Sequence, residues 1–193
     1  MERLQLPPKA AVLDWGAGCG HKLSWAAQLY DIDGLGIDIV LDSVLWAQEH
    51  SIGKYCHLDG RYVEWLPDDF FDGIISYAVL MHLSLEDQCT VVLELAGKLR
   101  AGGRMWFGWN APTTVMPESG AFGYEWPLPA EGFWHACFSS APDRQPRWST
   151  REIAVEWHTV EDVWLFPDHF PRVDSYLYWP PAYSLFVTRV SVG

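Results

Sequence analysis

Residues 10–30, AAVLDWGAGCGHKLSWAAQLY, pass from an apolar run through three glycines at alternate positions into apolar residues at helical spacing. Leu23, Ala26, Ala27 and Tyr30 make the helical stripe. An apolar run that stops on glycine and enters a 3.6-residue period specifies strand, turn and helix in succession. The succession recurs. GLGIDIV (34–40) is a second apolar run, followed by LDSVLWAQEH, in which Asp42 or Ser43 can cap a helix. KYCHLDG (54–60) is a third candidate strand, and FDGIISYAVL (71–80) a fourth, apolar on both faces as a central parallel strand must be. SLEDQCTVVLELAGKLR (84–100) starts at Ser84, carries acids in its first turn and Lys98 and Arg100 in its last, and is stopped by AGG. GRMWFGW (103–109) is a fifth strand. Strands that alternate with helices at this spacing predict an α/β fold with a parallel sheet and right-handed crossovers.

After residue 109 the alternation breaks. Residues 110–150 hold six of the 13 prolines and no clear helical period outside EGFWHACF, so they read as a lid or acceptor-binding insertion. Residues 151–166 read as one bent strand or two short ones, and 183–190 as the last strand. At 193 residues, about half of them apolar, a single domain over 1–193 is expected. The net charge of −12, with only 13 Lys and Arg, argues against a protein that grips nucleic acid through its phosphates. Cys19, Cys56, Cys89 and Cys137 lack any C-x-x-C pair and read as reduced thiols, which fits a cytoplasmic chain. MERLQLPPKA has no long apolar stretch, and no run of about 18 apolar residues suggests a membrane span. His135 with Cys137, and Cys56 with His57, lack further ligands at useful spacing, so no metal is expected.

In a doubly wound sheet, ligands bind beyond the carboxyl ends of the strands, which directs attention to the first glycine turn. Gly16 and Gly18 let the backbone bend and approach a ligand, and Gly20 lets the helix pack closely on the strand. A dinucleotide fingerprint, G-x-G-x-x-G, counted from Gly16 requires glycine at position 21, where His21 stands.

The segment DWGAGCG resembles the first motif of the class I S-adenosylmethionine-dependent methyltransferases, an acid followed by spaced glycines. The resemblance implies that Asp14 holds the amino-acid part of S-adenosylmethionine, directly or through water, against the backbone of Gly16, Gly18 and Gly20. A cationic amine suits Asp14, whereas a pyrophosphate would be repelled by it. The resemblance extends to residues 10–110. Asp38, about 20 residues past the turn and followed by Ile39, stands where the family has its ribose-binding acid; its alternative is a helix-capping acid. Asp59, followed by Gly60 and Arg61, stands where an acid meets the adenine amino group. Ser76, Tyr77 and Ala78 correspond to the end of the fourth strand, near the methyl group. The implied fold is Rossmann-like, a seven-stranded, mostly parallel sheet with helices on both faces and an antiparallel last strand paired with strand six.

Methyl transfer from a sulfonium is an in-line displacement, which requires orientation of two substrates and a base only where the acceptor carries a proton to remove. His82, in LMHLS, is the candidate base; its alternative is a histidine packed at a helix start or against the cofactor. SYAV after strand four lacks the Asn/Asp-Pro-Pro-aromatic motif of nucleobase amino-methylating enzymes, and no Pro-Cys nucleophile is present. The acceptor is therefore expected to be a small molecule or a protein side chain. Eight of the 12 tryptophans lie from Trp106 onward. Trp109, Asn110, Trp126, Phe133, Trp134 and His135 are expected either to line the acceptor pocket or to pack the insertion onto the sheet. Many family members carry a helix before the first strand, which here begins by residue 10, so the expectation is either an unusually open cofactor site or a protein partner or further segment that covers it. The rival reading is a catalytically silent methyltransferase-like subunit; a nicotinamide-dependent oxidoreductase is a distant third.

Overall fold

A computed structural model of the chain describes residues 4–109, 129, 132–140, 153–158 and 183–190. Within them run β1 (Ala11–Trp15), α1 (His21–Tyr30), β2 (Asp33–Asp38), α2 (Leu41–His50), β3 (Lys54–His57), β4 (Phe71–Tyr77), α3 (Leu85–Lys98), β5 (Leu99–Trp109), α4 (Phe133–Ser139), β6 (Ile153–His158) and β7 (Tyr183–Arg189). A 3-10 turn, Leu80–His82, separates β4 from α3. The strands form one sheet in the order β3-β2-β1-β4-β5-β7-β6. The first five are mutually parallel, and β7 runs antiparallel to both β5 and β6. The expected seven-stranded fold and its antiparallel last strand are both present. Of the predicted strand region 151–166, the part beyond His158 lies outside the described residues.

Two-residue periodicity places the core on both faces. Leu13, Ile74, Met105, Phe107, Leu185 and Val187 share one cluster. Their neighbours Val12, Ile75, Trp106 and Phe186 belong to the other, under α1 and α2. β4 is buried over its first six residues, as a central parallel strand should be. Ser84 caps α3 by accepting the Asp87 N–H, and Glu86 and Asp87 favour its positive end. In contrast, neither Asp42 nor Ser43 caps α2: the helix starts at Leu41 after Val40. The Val40 N–H is satisfied by Asp38 Oδ1 at 2.8 Å, so an acid at the end of β2 replaces a side-chain cap.

The reading of four reduced thiols is corrected. Cys89 of α3 and Cys137 of α4 form a disulfide across 48 residues of sequence, while Cys19 and Cys56 are free. Spacing along the chain could not show this pair, because it is the return of the chain to α3 that brings the two sulfurs together. No helix of the described residues is long and apolar enough to cross a membrane. Among them no group of three or more His, Cys, Asp or Glu is placed to hold a metal ion.

Candidate active site

The sheet order changes direction between β1 and β4, so the crevice beyond their carboxyl ends is the natural ligand site. The turn after β1 fills it with backbone rather than side chains. Gly16 and Gly18 have φ of 75° and 54°, in the left-handed region where a Cβ is penalised. Their reasons for lacking a side chain differ. A Cβ on Gly16 would lie 2.2 Å from Val79 Cγ2, so this glycine lets the turn close against the segment after β4. Among the described residues a Cβ on Gly18 would meet nothing within 4 Å: its position faces open space there. Gly20 borders the Tyr55 ring, 2.6 Å from where its Cβ would be, and so serves helix packing as expected.

Hydrogen bonds tie the turn to the end of β2. The N–H groups of Gly16 and Ala17 both donate to the Ile37 carbonyl at 2.9 Å. The Gly18 N–H donates to Asp38 Oδ2 at 2.7 Å. Asp38 thus spans two elements, with one carboxylate oxygen on the glycine turn and the other on Val40 at the start of α2. Each oxygen retains further acceptor capacity. Ile39, next to it, is 59% exposed.

Asp14 sits on the last part of β1, fully buried, and neither carboxylate oxygen accepts a hydrogen bond. Burial pushes its pKa up to about 6, against the pull of Lys22. Lys22 Nζ lies 3.5 Å from Asp14 Oδ2 and 3.4 Å from the Gly16 carbonyl. Sequence reasoning missed Lys22. The available signal was a cation in the first turn of a helix, where the macrodipole disfavours it and some other anion must compensate.

The remaining predicted residues divide. Asp59 is engaged by its own loop: Arg61 donates from its backbone N–H at 3.0 Å and from Nη2 at 2.6 Å. This partner holds the Asp59 carboxyl below the usual range. Gly60 is small because Trp15 Nε1 donates to its carbonyl at 2.8 Å, and a Cβ there would lie 2.4 Å from that nitrogen. Ser76 is buried at the end of β4, and its Oγ has no hydrogen-bond partner among the described residues. Tyr77 stacks on Trp106, with centroids 6.1 Å apart, and burial raises its phenol pKa. Ala78 follows at φ 58°, a strained conformation for a residue with a Cβ, held by its N–H donating to the Gly108 carbonyl at 2.9 Å. His82 is exposed at the end of the 3-10 turn, its backbone N–H bonded to the Val79 carbonyl. His21 is exposed and sets its ring edge against Trp46.

Of the aromatic insertion, Asn110, Trp126 and the side chain of Trp109 lie outside the described residues. Trp134 is 2% exposed and belongs to the core cluster with Val91 and Leu95 of α3, so it takes the packing role. Phe133 packs against the same cluster, and His135 is exposed.

Comparison with known proteins decides between the ligands such a crevice can serve. The family model described as a methyltransferase domain matches residues 13–107, from β1 into β5. This is a class I, Rossmann-like methyltransferase domain. Phosphoethanolamine N-methyltransferase 3 of Arabidopsis thaliana is 29% identical over 124 residues, 61% of this chain and 25% of that protein. The chain thus spans about a quarter of the length of the curated relatives it matches. The methyltransferase domain also has the fold of the methyltransferase solved with the Haloferax volcanii Trm112 methyltransferase activator. There the TM-score is 0.71 at 18% identity, covering 100% of this chain and 86% of that one. Magnesium protoporphyrin IX methyltransferase from Synechocystis, solved with S-adenosylmethionine bound, gives a TM-score of 0.61 at 15% identity, covering 94% and 71%.

S-adenosylmethionine is the cofactor of this class, and the geometry of the turn fits it. A buried, unbonded carboxylate lies beneath the turn and open space lies over Gly18, which suits a ligand with a charged amino-acid end.

Proposed function

We propose that this methyltransferase domain transfers a methyl group from S-adenosylmethionine to a small-molecule acceptor. The observation that carries the reading is the pairing of the orphaned Asp14 carboxylate with the open cradle at Gly18, tied to Asp38. The small-molecule acceptor is supported by the phosphoethanolamine N-methyltransferase relatives. When bound, the cofactor supplies a sulfonium methyl group.

The chain's own residues do the rest. The Asp14–Lys22 pair lies under the turn that seats the amino-acid end, Gly18 leaves room for the chain that follows, and Asp38 accepts from the ribose hydroxyls with its remaining lone pairs. In this reading the buried Ser76 and the half-buried Tyr77 form the wall at the end of β4, where exclusion of water favours an aligned displacement. His82, exposed beyond that wall, accepts the acceptor's proton where one must leave. Asp59 contributes to the adenine side through its loop, with Arg61 holding that loop in place and Ile39 offering an apolar face beside Asp38.

Calorimetric titration tests the reading. The wild-type chain should bind S-adenosylmethionine and show no heat with NAD. Asp38→Ala removes hydrogen bonds to a charged acceptor, each worth about 1.5–3 kcal/mol, so cofactor affinity should fall about 100-fold. Unchanged affinity in that variant would remove Asp38 from the ribose site, and absence of wild-type binding would sink the cofactor reading.

A further inference from the structure

The Asp14 carboxylate is fully buried, so a ligand above the turn does not reach it as the structure stands. The charged group paired with it is Lys22. Its side chain is 12% exposed, its stem rises in the first turn of α1, and its ammonium has two acceptors, Asp14 Oδ2 at 3.5 Å and the Gly16 carbonyl at 3.4 Å. An ammonium has three donors, and both of these contacts are long. We propose that Lys22 is the direct ligand of the α-carboxylate at the amino-acid end of the cofactor, and that Asp14 is the positioning residue that holds Lys22 under the turn.

This assignment rests on the S-adenosylmethionine reading and sharpens it. Charge balance supports it. A buried carboxylate without hydrogen bonds is costly, and an ammonium beside it lowers that cost. The same ammonium lies 3.4 Å from the Gly16 carbonyl, in the glycine turn whose Gly18 faces open space. A carboxylate arriving there meets a cation already desolvated and already aimed, together with the positive end of α1. The cofactor's amine does not need Asp14 in this arrangement. Affinity should therefore depend on the carboxylate of the ligand more than on its amine.

The test compares S-adenosylmethionine with decarboxylated S-adenosylmethionine, which keeps the sulfonium, the amine and the nucleoside but lacks the carboxylate. Lys22→Met should weaken binding of S-adenosylmethionine tenfold or more and leave the decarboxylated ligand unchanged, while Lys22→Arg retains most of the affinity. Lys22→Met strands the Asp14 charge, so the Asp14→Asn/Lys22→Met double variant, which removes both charges, is measured beside it. In the Lys22→Met background, Asp14→Asn should cost no further affinity, because a residue that acts through another has nothing left to position. Lys22→Met that binds S-adenosylmethionine as tightly as wild type, or more tightly, would overturn the assignment; so would equal losses for the two ligands. A wild-type chain that binds neither ligand refutes the cofactor reading itself, which is a distinct outcome.

Discussion

Gly18→Leu should leave the methyltransferase domain close to wild-type stability and abolish S-adenosylmethionine binding, whereas Gly16→Leu should destabilise the fold strongly. The two positions are two residues apart in one turn, and both have positive φ. The backbone penalty is thus shared, about 1–2 kcal/mol for an L residue in the left-handed region. What separates them is the space each side chain enters. At Gly16 the first added carbon already lies 2.2 Å from Val79 Cγ2, and Val79 follows the strained Ala78 that closes β4 onto β5. Neither segment can yield without giving up the contact between the glycine turn and β4, and overpacking adds about 1–3 kcal/mol or more. Added to the backbone penalty, this is a large part of the about 5–15 kcal/mol by which a domain is stable. At Gly18 the added carbons enter open space, so only the backbone penalty remains. That space is where the reading places the ligand, and a leucine there excludes it by volume. Circular dichroism melting and calorimetric titration of the two variants make the comparison. A Gly18→Leu protein that still binds S-adenosylmethionine would show that the open space is not its seat.

The alternation of apolar runs and helical stretches was enough to place the five parallel strands, because a parallel strand buried on both faces leaves a continuous apolar signature. β4 is the clearest case. The glycine turn was legible for the same kind of reason: residues without side chains in that spacing have few uses besides close approach. Four features were not fully legible, and most of them depend on contacts between elements. The start of α2 is held by Asp38, which accepts from Val40 while it also accepts from Gly18, so the capping rule, which put Asp42 or Ser43 first, ranked the wrong residues. The Cys89–Cys137 disulfide joins helices on either side of β5 and the insertion. Asp59 was read only for its correspondence to an adenine-side acid, and its ion pair with Arg61, two residues on, was not foreseen. Lys22 is the fourth and most consequential case. On α1 it resembles an ordinary surface lysine, and only the depth of Asp14 beneath the turn reveals it as half of an ion pair.

Asp14→Asn should make the protein more stable at neutral pH while weakening its hold on the cofactor. The sign follows from burial. In the folded chain the Asp14 pKa is raised from 3.8 to about 6, so the native state holds its proton more tightly than the unfolded chain does. A carboxyl with a raised folded pKa favours folding when protonated, and that advantage is lost as pH rises from the unfolded value through about 6. At neutral pH the ionised group therefore opposes folding by about 3 kcal/mol, from a shift of about two units at 1.36 kcal/mol each. Asparagine keeps the shape and removes the charge. Its gain over wild type should be largest above pH 7, shrink between pH 6 and 4, and vanish below the unfolded pKa, where the wild-type side chain is neutral in both states. Other carboxylates titrate in the same window, and subtracting the variant's urea stability from that of the wild type at each pH cancels them. A difference that is flat with pH, or that favours wild type at neutral pH, would refute an ionised and unsolvated Asp14. The same charge keeps Lys22 under the turn, so the variant should also lose at least tenfold in S-adenosylmethionine affinity at pH 7.5. A residue whose removal stabilises the fold and weakens the ligand is retained for the ligand, which is the pattern expected where a site stores unfavourable electrostatics for use on binding.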